Sequence, residues 1–302
     1  MREKKPEKLK QEVRKEVKET YEQIKKMEIQ GATDVALEAV KSLKKVKEEE
    51  ELEKATNLLK QSRPTEPMMR NGLKYIKSRY REGEKIKKAV KEFQEIVNNA
   101  VEEIKEKGAT YLPENAKVIT HCHSSLVEKI LIEARGRGKL EKVIVTETRP
   151  RYQGRITAEE LSDKGIPVTV CVDSARIELI DEADISLVGA DVITSDSYLL
   201  NKIGTHELAL TSHNIKGKNF LVATQLLKIA PMTLKGKRQE IEERDPKEVW
   251  DHPPKGVTVR NPAFDATPPR YINSMITEHG VIHPFNAIDN ARKRYPWIFN
   301  QI

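Results

Sequence analysis

The chain has 302 residues, of which 37% are hydrophobic, and it carries a formal net charge of +7. That length suits one large domain or two modest ones, with enough apolar side chains for a core. No apolar run approaches the roughly 18 residues of a membrane-spanning helix, and the charged start MREKKPEKLK is no secretory signal. Two widely separated cysteines do not suggest a disulfide framework. We therefore expect a cytoplasmic protein with no membrane partner.

The positive charge does not form a continuous patch. Residues 1–110 carry 28 Lys or Arg and 22 Asp or Glu, so nearly the whole excess lies there. The signs are interleaved, as in KSLKKVKEEEELEK, which is typical of solvated helix faces with pairs four residues apart. This pattern argues against a dedicated nucleic-acid surface.

The first third of the chain has the periodicity of helices. Apolar residues recur at spacings of three and four from Leu9 to Ile24, and similar stripes continue to about residue 107. The segment SRPTEP at 62–67 predicts a turn, and Gly108 is expected to end the last helix as a C-cap. These features predict an all-helical domain over residues 1–110.

From about residue 116 the pattern changes to short, β-branched apolar runs that alternate with helical segments. Runs that are apolar on both faces and separated by helices indicate parallel strands in βαβ units. Residues 111–302 are therefore predicted to form a Rossmann-like, doubly wound, mostly parallel α/β domain. The predicted strands are AKVIT (116–120), KVIVTE (142–147), PVTVCVD (167–173), DISLVGAD (184–191) and NFLVAT (219–224).

Polar residues follow several of these strands. The first strand leads into the sequence HCHSS that contains Cys122, the fourth ends near Asp191, and the fifth is followed by Lys228. In open α/β sheets, ligands bind beyond the carboxyl ends of the strands. The sequence therefore predicts a polar-substrate site that collects a thiol, carboxylates, hydroxyls and a lysine at one edge.

Cys122 itself admits several interpretations. A metal site with His121 and His123 is disfavoured, because alternate residues of a strand point apart and no second ligand cluster exists. A position just before a helix N-terminus favours a thiolate of lowered pKa, yet a structural thiol fits the position equally well. Cys171, in the middle of a strand, is expected to be buried and inert. Asp191 could equally cap its own turn.

No phosphate-binding fingerprint is present. The sequence contains neither GxGxxG after a strand nor a P-loop. Helix N-termini can still hold phosphate, and Ser124-Ser125 and Asn201-Lys202 are each expected to open a helix. Arg63, fixed before a proline, could be a surface arginine or a phosphate fork.

Several ordered motifs together resemble one superfamily. It contains the regulatory subunits of translation initiation factor 2B, methylthioribose-1-phosphate isomerase and archaeal ribose-1,5-bisphosphate isomerase, and the resemblance is strongest to the last of these. The motifs are KMEIQGAT (26–33), SRPT (62–65), THCHSS (120–125), TETRPRYQGRITAEEL (146–161), VGAD (188–191), NKIGT (201–205) and NPAFDATPP (261–269).

The resemblance implies an enzyme of nucleotide salvage that interconverts an aldose and a ketose, ribose 1,5-bisphosphate and ribulose 1,5-bisphosphate. It implies Cys122 and Asp191 as the catalytic pair, with neither a redox cofactor nor a metal. The substrate-binding residues that it implies are Gln30, Gly31, Ala32, Thr33, Arg63, Ser124, Ser125, Asn201, Lys202 and Lys228.

Two positions depart from the isomerase pattern. Gln30 stands where these enzymes usually have Arg, and Ser125 stands where the bisphosphate enzyme is expected to have Lys. Both changes remove positive charge from a phosphate site, and the residues expected to compensate are Arg149, Arg151 and Arg155.

The departures keep a second reading open. It is a non-catalytic, initiation-factor-2B-like regulatory subunit that binds a nucleotide or sugar phosphate. The resemblance implies a homo-oligomer, a dimer or a hexamer, and allows a nucleotide effector. A third reading is a methylthioribose-1-phosphate isomerase, which uses the same pair but needs an apolar pocket for its methylthio group.

Overall fold

The computed structural model describes residues 6–214 and 217–300. Its first part is entirely helical. The stripe that begins at Leu9 is buried as predicted, but it is divided between two helices that break between Gln11 and Lys15. The helices of this part are α1 (Pro6–Gln11), α2 (Lys15–Lys25), α3 (Ala32–Ser42), α4 (Glu49–Ser62), α5 (Pro67–Arg81) and α6 (Ile86–Tyr111).

The prediction that Gly108 ends a helix is wrong, because α6 continues to Tyr111. Gly108 lies where α6 packs against the next helix, and a Cβ atom there would be 2.7 Å from Cδ1 and Cγ1 of Ile130. The absence of a side chain lets the two helices approach closely. The glycine is therefore a packing residue inside the helix.

The second part alternates strands and helices. Its strands are β1 (Ala116–His121), β2 (Leu140–Thr146), β3 (Val168–Cys171), β4 (Ile185–Val188), β5 (Val192–Ile193), β6 (Leu199–Lys202), β7 (Asn219–Ala223), β8 (Phe264–Thr267), β9 (Ser274–Thr277) and β10 (Gly280–Ile282). Its helices are α7 (Ser125–Gly136), α8 (Gln153–Asp163), α9 (Arg176–Leu179), α10 (Thr205–Asn214) and α11 (Ala287–Arg294).

Seven strands form one sheet in the order β10-β9-β7-β4-β1-β2-β3. Only the β10–β9 pair in this sheet is antiparallel. The chain runs outward from β1 to β2 and β3, and then returns to place β4 on the other side of β1. The point where the strand order reverses therefore lies between β1 and β4. The predicted fold class, helices followed by a doubly wound and mostly parallel sheet, is confirmed.

All five predicted strands are present, but the sequence did not predict the others. β5, β6 and β8 form a separate antiparallel sheet. Asn201 and Lys202 are the last residues of β6, so the prediction that they open a helix is wrong; α10 starts at Thr205. β5 and β10, with two and three residues, are too short to show a periodicity.

The predicted burial of Cys171 is also wrong. β3 is an edge strand of the seven-stranded sheet, and its thiol-bearing residue is only partly buried. The neighbouring Val170 and Val172 are 48% and 54% exposed. An apolar run looks the same in sequence whether it lies at the centre or at the edge of a sheet.

α6 contacts both parts of the chain. Its first half, including Phe93 and Val97, packs in a core that the helical part shares with one face of the sheet. Its second half, including Ile104 and Ala109, packs in a second core with α7 and the other sheet face. The division at residue 110 remains a prediction. Among the described helices, none has the length and apolar character that a bilayer crossing demands.

We expect Gly108→Ala to lower the free energy of unfolding. Overpacking against Ile130 costs about 1–3 kcal/mol, which exceeds the gain of about 1 kcal/mol in helix propensity. In an Ile130→Ala background the clash is gone, and the same change should become stabilising. Urea denaturation of the four variants measures both effects.

Gly136→Ala is the matched control. Gly136 ends α7, and no described atom lies within 4 Å of a Cβ built there. This change should not destabilise the protein. Equal effects at the two glycines would contradict the packing role of Gly108.

Candidate active site

The residues predicted for the site follow strands β1 and β4. The loop after β1 carries Cys122, and the loop after β4 carries Asp191. These two strands flank the point where the strand order reverses, which is the usual ligand site of doubly wound sheets. The two predicted catalytic residues therefore lie on neighbouring loops at one edge of the sheet.

A close contact holds the two loops together. Ser124 is the N-cap of α7, and its hydroxyl accepts a hydrogen bond from the backbone N–H of Val127 at 3.5 Å. A Cβ atom on Gly189 would lie 2.6 Å from the Ser124 hydroxyl oxygen. Glycine at position 189 therefore permits the β4 loop to contact the N-terminus of α7. Ser125, the first residue of α7, is exposed beside this contact.

The backbone around Cys122 is strained. Cys122 has φ +70° and Thr148, in the loop after β2, has φ +62°. A β-branched residue rarely adopts such a conformation, and each such residue costs about 1–3 kcal/mol. The Cys122 N–H donates to the Thr148 hydroxyl at 2.9 Å. Asp173 accepts from the N–H groups of Thr148 and Arg149 at 2.8 and 2.7 Å, which fixes this second loop.

The prediction of a lowered thiol pKa is wrong. The pKa of the Cys122 thiol is raised to about 11, chiefly by burial; Lys202 opposes the rise, and the negative charge of Asp191 contributes to it. Desolvation thus outweighs the helix N-terminus, whose effect falls off within about one turn. The Cys122 thiol is therefore protonated at neutral pH.

Lys228 lies in the buried turn after β7. Its ammonium donates to the carbonyl oxygen of Ala190 at 2.7 Å, which places it against the β4 loop. Burial lowers the pKa of Lys228, and the nearby carboxylate of Asp191 opposes this effect. The buried Glu278 carboxylate accepts from the Leu226 N–H at 3.0 Å and so anchors the turn.

Lys202 and Asn201 approach from the antiparallel sheet. Both are buried at the end of β6, and the charge of Lys202 reaches the Cys122 thiol. The Asn201 amide donates to the Thr205 hydroxyl at 3.1 Å. The Leu200 carbonyl of the same strand accepts from the Asp191 N–H at 3.0 Å. This hydrogen bond connects β6 to the β4 loop.

Two predicted residues of the segment 30–33, which leads into α3, differ in their surroundings. The Thr33 hydroxyl lies 3.1 Å from the Gln225 side chain, beside the Lys228 turn. Gln30 is exposed and its amide donates to the carbonyl of Met27 at 2.9 Å, so it turns back onto its own loop. Between them, Gly31 is the N-cap of α3 and Ala32 is its buried first residue.

Arg63 is buried among carboxylates. Its guanidinium lies 3.3 Å from Glu66 and 3.7 Å from Glu242. Glu66 is 1% exposed and lies within electrostatic reach of Asp191 and Lys228, so the Arg63 turn adjoins the same site.

The arginines expected to compensate for missing charge are partly engaged. Arg155 lies 2.7 Å from Glu147, and Arg151 lies 3.6 Å from Glu248. Arg149 donates to the Tyr152 hydroxyl at 2.6 Å.

The histidines around Cys122 have separate roles. His121 is buried between the Thr146 hydroxyl, at 2.5 Å, and the Ile203 carbonyl, at 2.8 Å. The carbonyl can only accept, so Nε2 carries the proton and Nδ1 accepts from Thr146. Burial lowers the pKa of His121 to about 4, which keeps the ring neutral. Both ring nitrogens are thus occupied by protein groups.

One group of side chains in the described ranges has the composition of a cation site. Ligand atoms of His123, Glu128 and Glu160 lie within 4.8 Å of one another. Burial and a hydrogen bond that Glu128 donates to Glu160 raise the pKa of Glu128 to about 7.

A separate basic cavity of about 690 Å³ lies beyond the Arg63 turn. Its walls include Thr65, Lys74, Arg81, Arg238 and Trp297. None of the predicted site residues lines it. The predicted chemistry therefore lies at the sheet edge and not in this cavity.

Sequence reasoning missed Glu66 and Glu278. Both are buried carboxyl groups in contact with the site. The only signal for Glu66 was its place in SRPTEP, three residues after Arg63, and Glu278 lies in no motif that we singled out.

The helical part, the doubly wound sheet and the polar residues at its reversal point define an α/β protein that is suited to a small polar ligand. A model of the Initiation factor 2 subunit family matches residues 6–284. The chain belongs to this family, which confirms the resemblance drawn from its motifs.

Individual relatives cover nearly the whole chain. It is 40% identical over 297 residues to the ribose 1,5-bisphosphate isomerase of Methanocaldococcus jannaschii, covering 93% of this chain and 96% of the relative. The translation initiation factor eIF-2B of Pyrococcus horikoshii has a TM-score of 0.79 at 30% identity, covering 90% of this chain and 98% of that one. The 5-methylthioribose 1-phosphate isomerase of that organism has a TM-score of 0.76 at 30% identity, covering 92% and 88%.

We expect alkylation of Cys122 by iodoacetamide, in a Cys171→Ser background, to accelerate about tenfold per pH unit from pH 7 to pH 9. The thiolate is the reacting form, and its fraction grows tenfold per unit below the raised pKa. Lys202→Met should slow the reaction further, because it removes the opposing charge. Mass spectrometry measures the rates.

The matched control is Lys87→Met, which replaces an exposed lysine of α6. This change should leave the alkylation rate of Cys122 unaltered. A rate that levels off before pH 8 would show that the thiol is not desolvated.

Proposed function

We propose that the chain is an aldose–ketose isomerase that converts ribose 1,5-bisphosphate into ribulose 1,5-bisphosphate. The observation that carries this proposal is the placement of Cys122 and Asp191 on the two loops that flank the reversal point of the sheet. The thiol lies within the electrostatic reach of the carboxylate. The similarity to the isomerase of Methanocaldococcus jannaschii supports the same substrate.

The reaction needs one acid and one base on the same sugar. In the proposed scheme, Asp191 gives a proton to the ring oxygen as the bond between that oxygen and C1 breaks. The Cys122 thiolate takes the proton from C2, and the released electron pair forms the double bond between C1 and C2. The same proton then returns to C1, while the 2-hydroxyl returns its proton to Asp191. The scheme uses neither a metal nor a redox cofactor.

The raised thiol pKa constrains how this scheme begins. A thiol with a pKa of about 11 loses its proton to water at pH 7 at a cost of about 5 kcal/mol. Lys202 reduces this cost, because its positive charge favours the thiolate.

Cationic and polar groups around this pair are proposed to hold the substrate. Lys202 and Lys228 adjoin the loops of Cys122 and Asp191 respectively, and Arg63 adjoins the Asp191 loop through Glu66. The N-terminus of α7 at Ser124 and Ser125 offers backbone N–H groups. Asn201 and the loop of Gln30, Gly31, Ala32 and Thr33 complete the proposed set.

The proposal also covers the localisation and the oligomeric state of the protein. It acts in the cytoplasm, in keeping with its two free cysteines, and it assembles as a homo-oligomer, a dimer or a hexamer. A nucleotide effector is part of the same expectation.

Incubation with ribose 1,5-bisphosphate, followed by NMR, tests the activity. Wild type should form the ketose. Cys122→Ser and Asp191→Asn should each lose at least about 100-fold in rate, because each removes a proton-transfer group. Cys171→Ser is the matched control and should keep full activity. No turnover by wild type, or full activity in both site variants, would contradict the proposed function.

Ser125→Lys should lower KM for the bisphosphate. It adds a cation at the first residue of α7, and a charged hydrogen bond contributes about 1.5–3 kcal/mol, or about 10- to 150-fold in affinity. Steady-state kinetics measures the change. Ser162→Lys, on the exposed side of α8, should leave KM unchanged. A KM that is unchanged or raised by Ser125→Lys would show that no phosphate binds there.

A further inference from the structure

Three buried polar atoms around the Arg63 turn have no hydrogen-bond partner in the described part of the chain. They are Arg63 Nε, Glu66 Oε2 and Glu242 Oε2. Glu66 is 1% exposed and Arg63 is 8% exposed, so water does not satisfy them freely. Unsatisfied buried groups are few in native proteins. Arg63 Nε and Glu242 Oε2 face each other at 3.7 Å, an ion pair too long to be a hydrogen bond, so a ligand that engages Arg63 would complete the arrangement.

The charges of this cluster are unbalanced. Glu66 faces Arg63 at 3.3 Å, and its carboxyl is also within electrostatic reach of Asp191, Lys228 and Glu242. With every group ionised, two cations stand against three carboxylates. A phosphate dianion would add two negative charges, so its binding near Arg63 requires the cluster to lose negative charge elsewhere.

We propose that Glu66 is a positioning residue that exchanges its ion pair with Arg63 for a proton when a sugar phosphate binds. In the unbound state the carboxylate holds the guanidinium within the turn. When the phosphate engages the guanidinium, Glu66 takes a proton from solvent and becomes neutral. This inference rests on the proposed function, because it takes the sugar phosphate as the ligand of Arg63.

Glu66 suits this role better than Glu242 does. It is the N-cap of α5, between Pro64 and Pro67, and its buried side chain cannot turn out to water. The Glu242 side chain is 28% exposed and belongs to a segment without a regular helix or strand. Glu242 can move aside, whereas Glu66 can reduce its charge only by protonation. Burial already raises the pKa of Glu66 to about 7, despite the nearby Arg63.

This pKa determines whether ligand binding takes up or releases protons. A phosphate dianion favours the neutral carboxyl, so binding raises the pKa of Glu66 further and takes up protons. Near pH 5.5 Glu66 is already neutral and contributes no uptake. Near pH 8 it is mostly ionised before binding, and its uptake approaches one proton per site.

Isothermal titration calorimetry in buffers of different ionisation enthalpy measures this uptake. Ribose 1,5-bisphosphate is titrated into Cys122→Ser, which prevents turnover, and into Cys122→Ser with Glu66→Gln. The single variant should take up about one proton more than the double variant near pH 8. The double variant should bind about tenfold tighter there, because its neutral amide needs no proton. Near pH 5.5 the two should agree.

Glu242→Gln in the same background is the matched control. It should leave the proton uptake unchanged, because the Glu242 side chain is partly exposed and can move aside. The thermal midpoint checks folding, and Glu66→Gln should raise it more near pH 8 than near pH 5.5, because the stability lost through Glu66 grows as the pH rises from its unfolded pKa to its folded pKa of about 7. If that variant fails to fold, the uptake of Cys122→Ser alone must still rise between pH 5.5 and pH 8.

Three outcomes would overturn the inference. They are equal uptake with and without Glu66→Gln, weaker binding by that variant near pH 8, and no binding of the bisphosphate to Cys122→Ser. The proposed function is tested separately by wild-type turnover. Binding with proton uptake but without turnover would reject the proposed isomerase activity and support the proposed role of Glu66. Turnover with the same proton uptake in both variants would reject only the role of Glu66.

Discussion

The candidate site depends on the parallel pairing of β1 with β4. Because the chain returns to β1 from the opposite side, no crossover covers the gap above these two strands. The loops that follow them meet there, and the contact of Gly189 with Ser124 determines their separation. Lys228 then joins the β4 loop through the Ala190 carbonyl. A change in the strand pairing would separate every group assigned to substrate.

Desolvation is the main electrostatic effect in this gap. It opposes ionisation of Cys122, Glu66 and Lys228 alike. Electrostatic interactions between these buried groups are less screened than in water. The protonation state of each group therefore depends on the charges of its neighbours. The thiol, the carboxyl groups and the lysine therefore behave as one coupled system, in which the arrival of an anionic ligand moves protons as well as atoms.

The sequence predicts the central features well and the peripheral ones poorly. Central strands such as β1 and β4 are apolar on both faces, so their pattern is unambiguous. The edge strand β3 has the same local pattern, and only tertiary context exposes it. Residues at strand ends, including Cys122 and Asp191, could be grouped by topology alone. The burial of Glu66 and the thiol pKa could not be predicted, because both depend on packing between distant segments.

The continuity of α6 has a consequence for how the protein unfolds. One helix contributes side chains to both hydrophobic cores, with Phe93 in the first and Ile104 in the second. Loss of either core would leave half of this helix without its packing partners, and an isolated helix of that length is marginal in water. The helical part and the sheet are thus expected to melt in one cooperative transition. The gap between the loops that follow β1 and β4 then gains its rigidity from the whole chain.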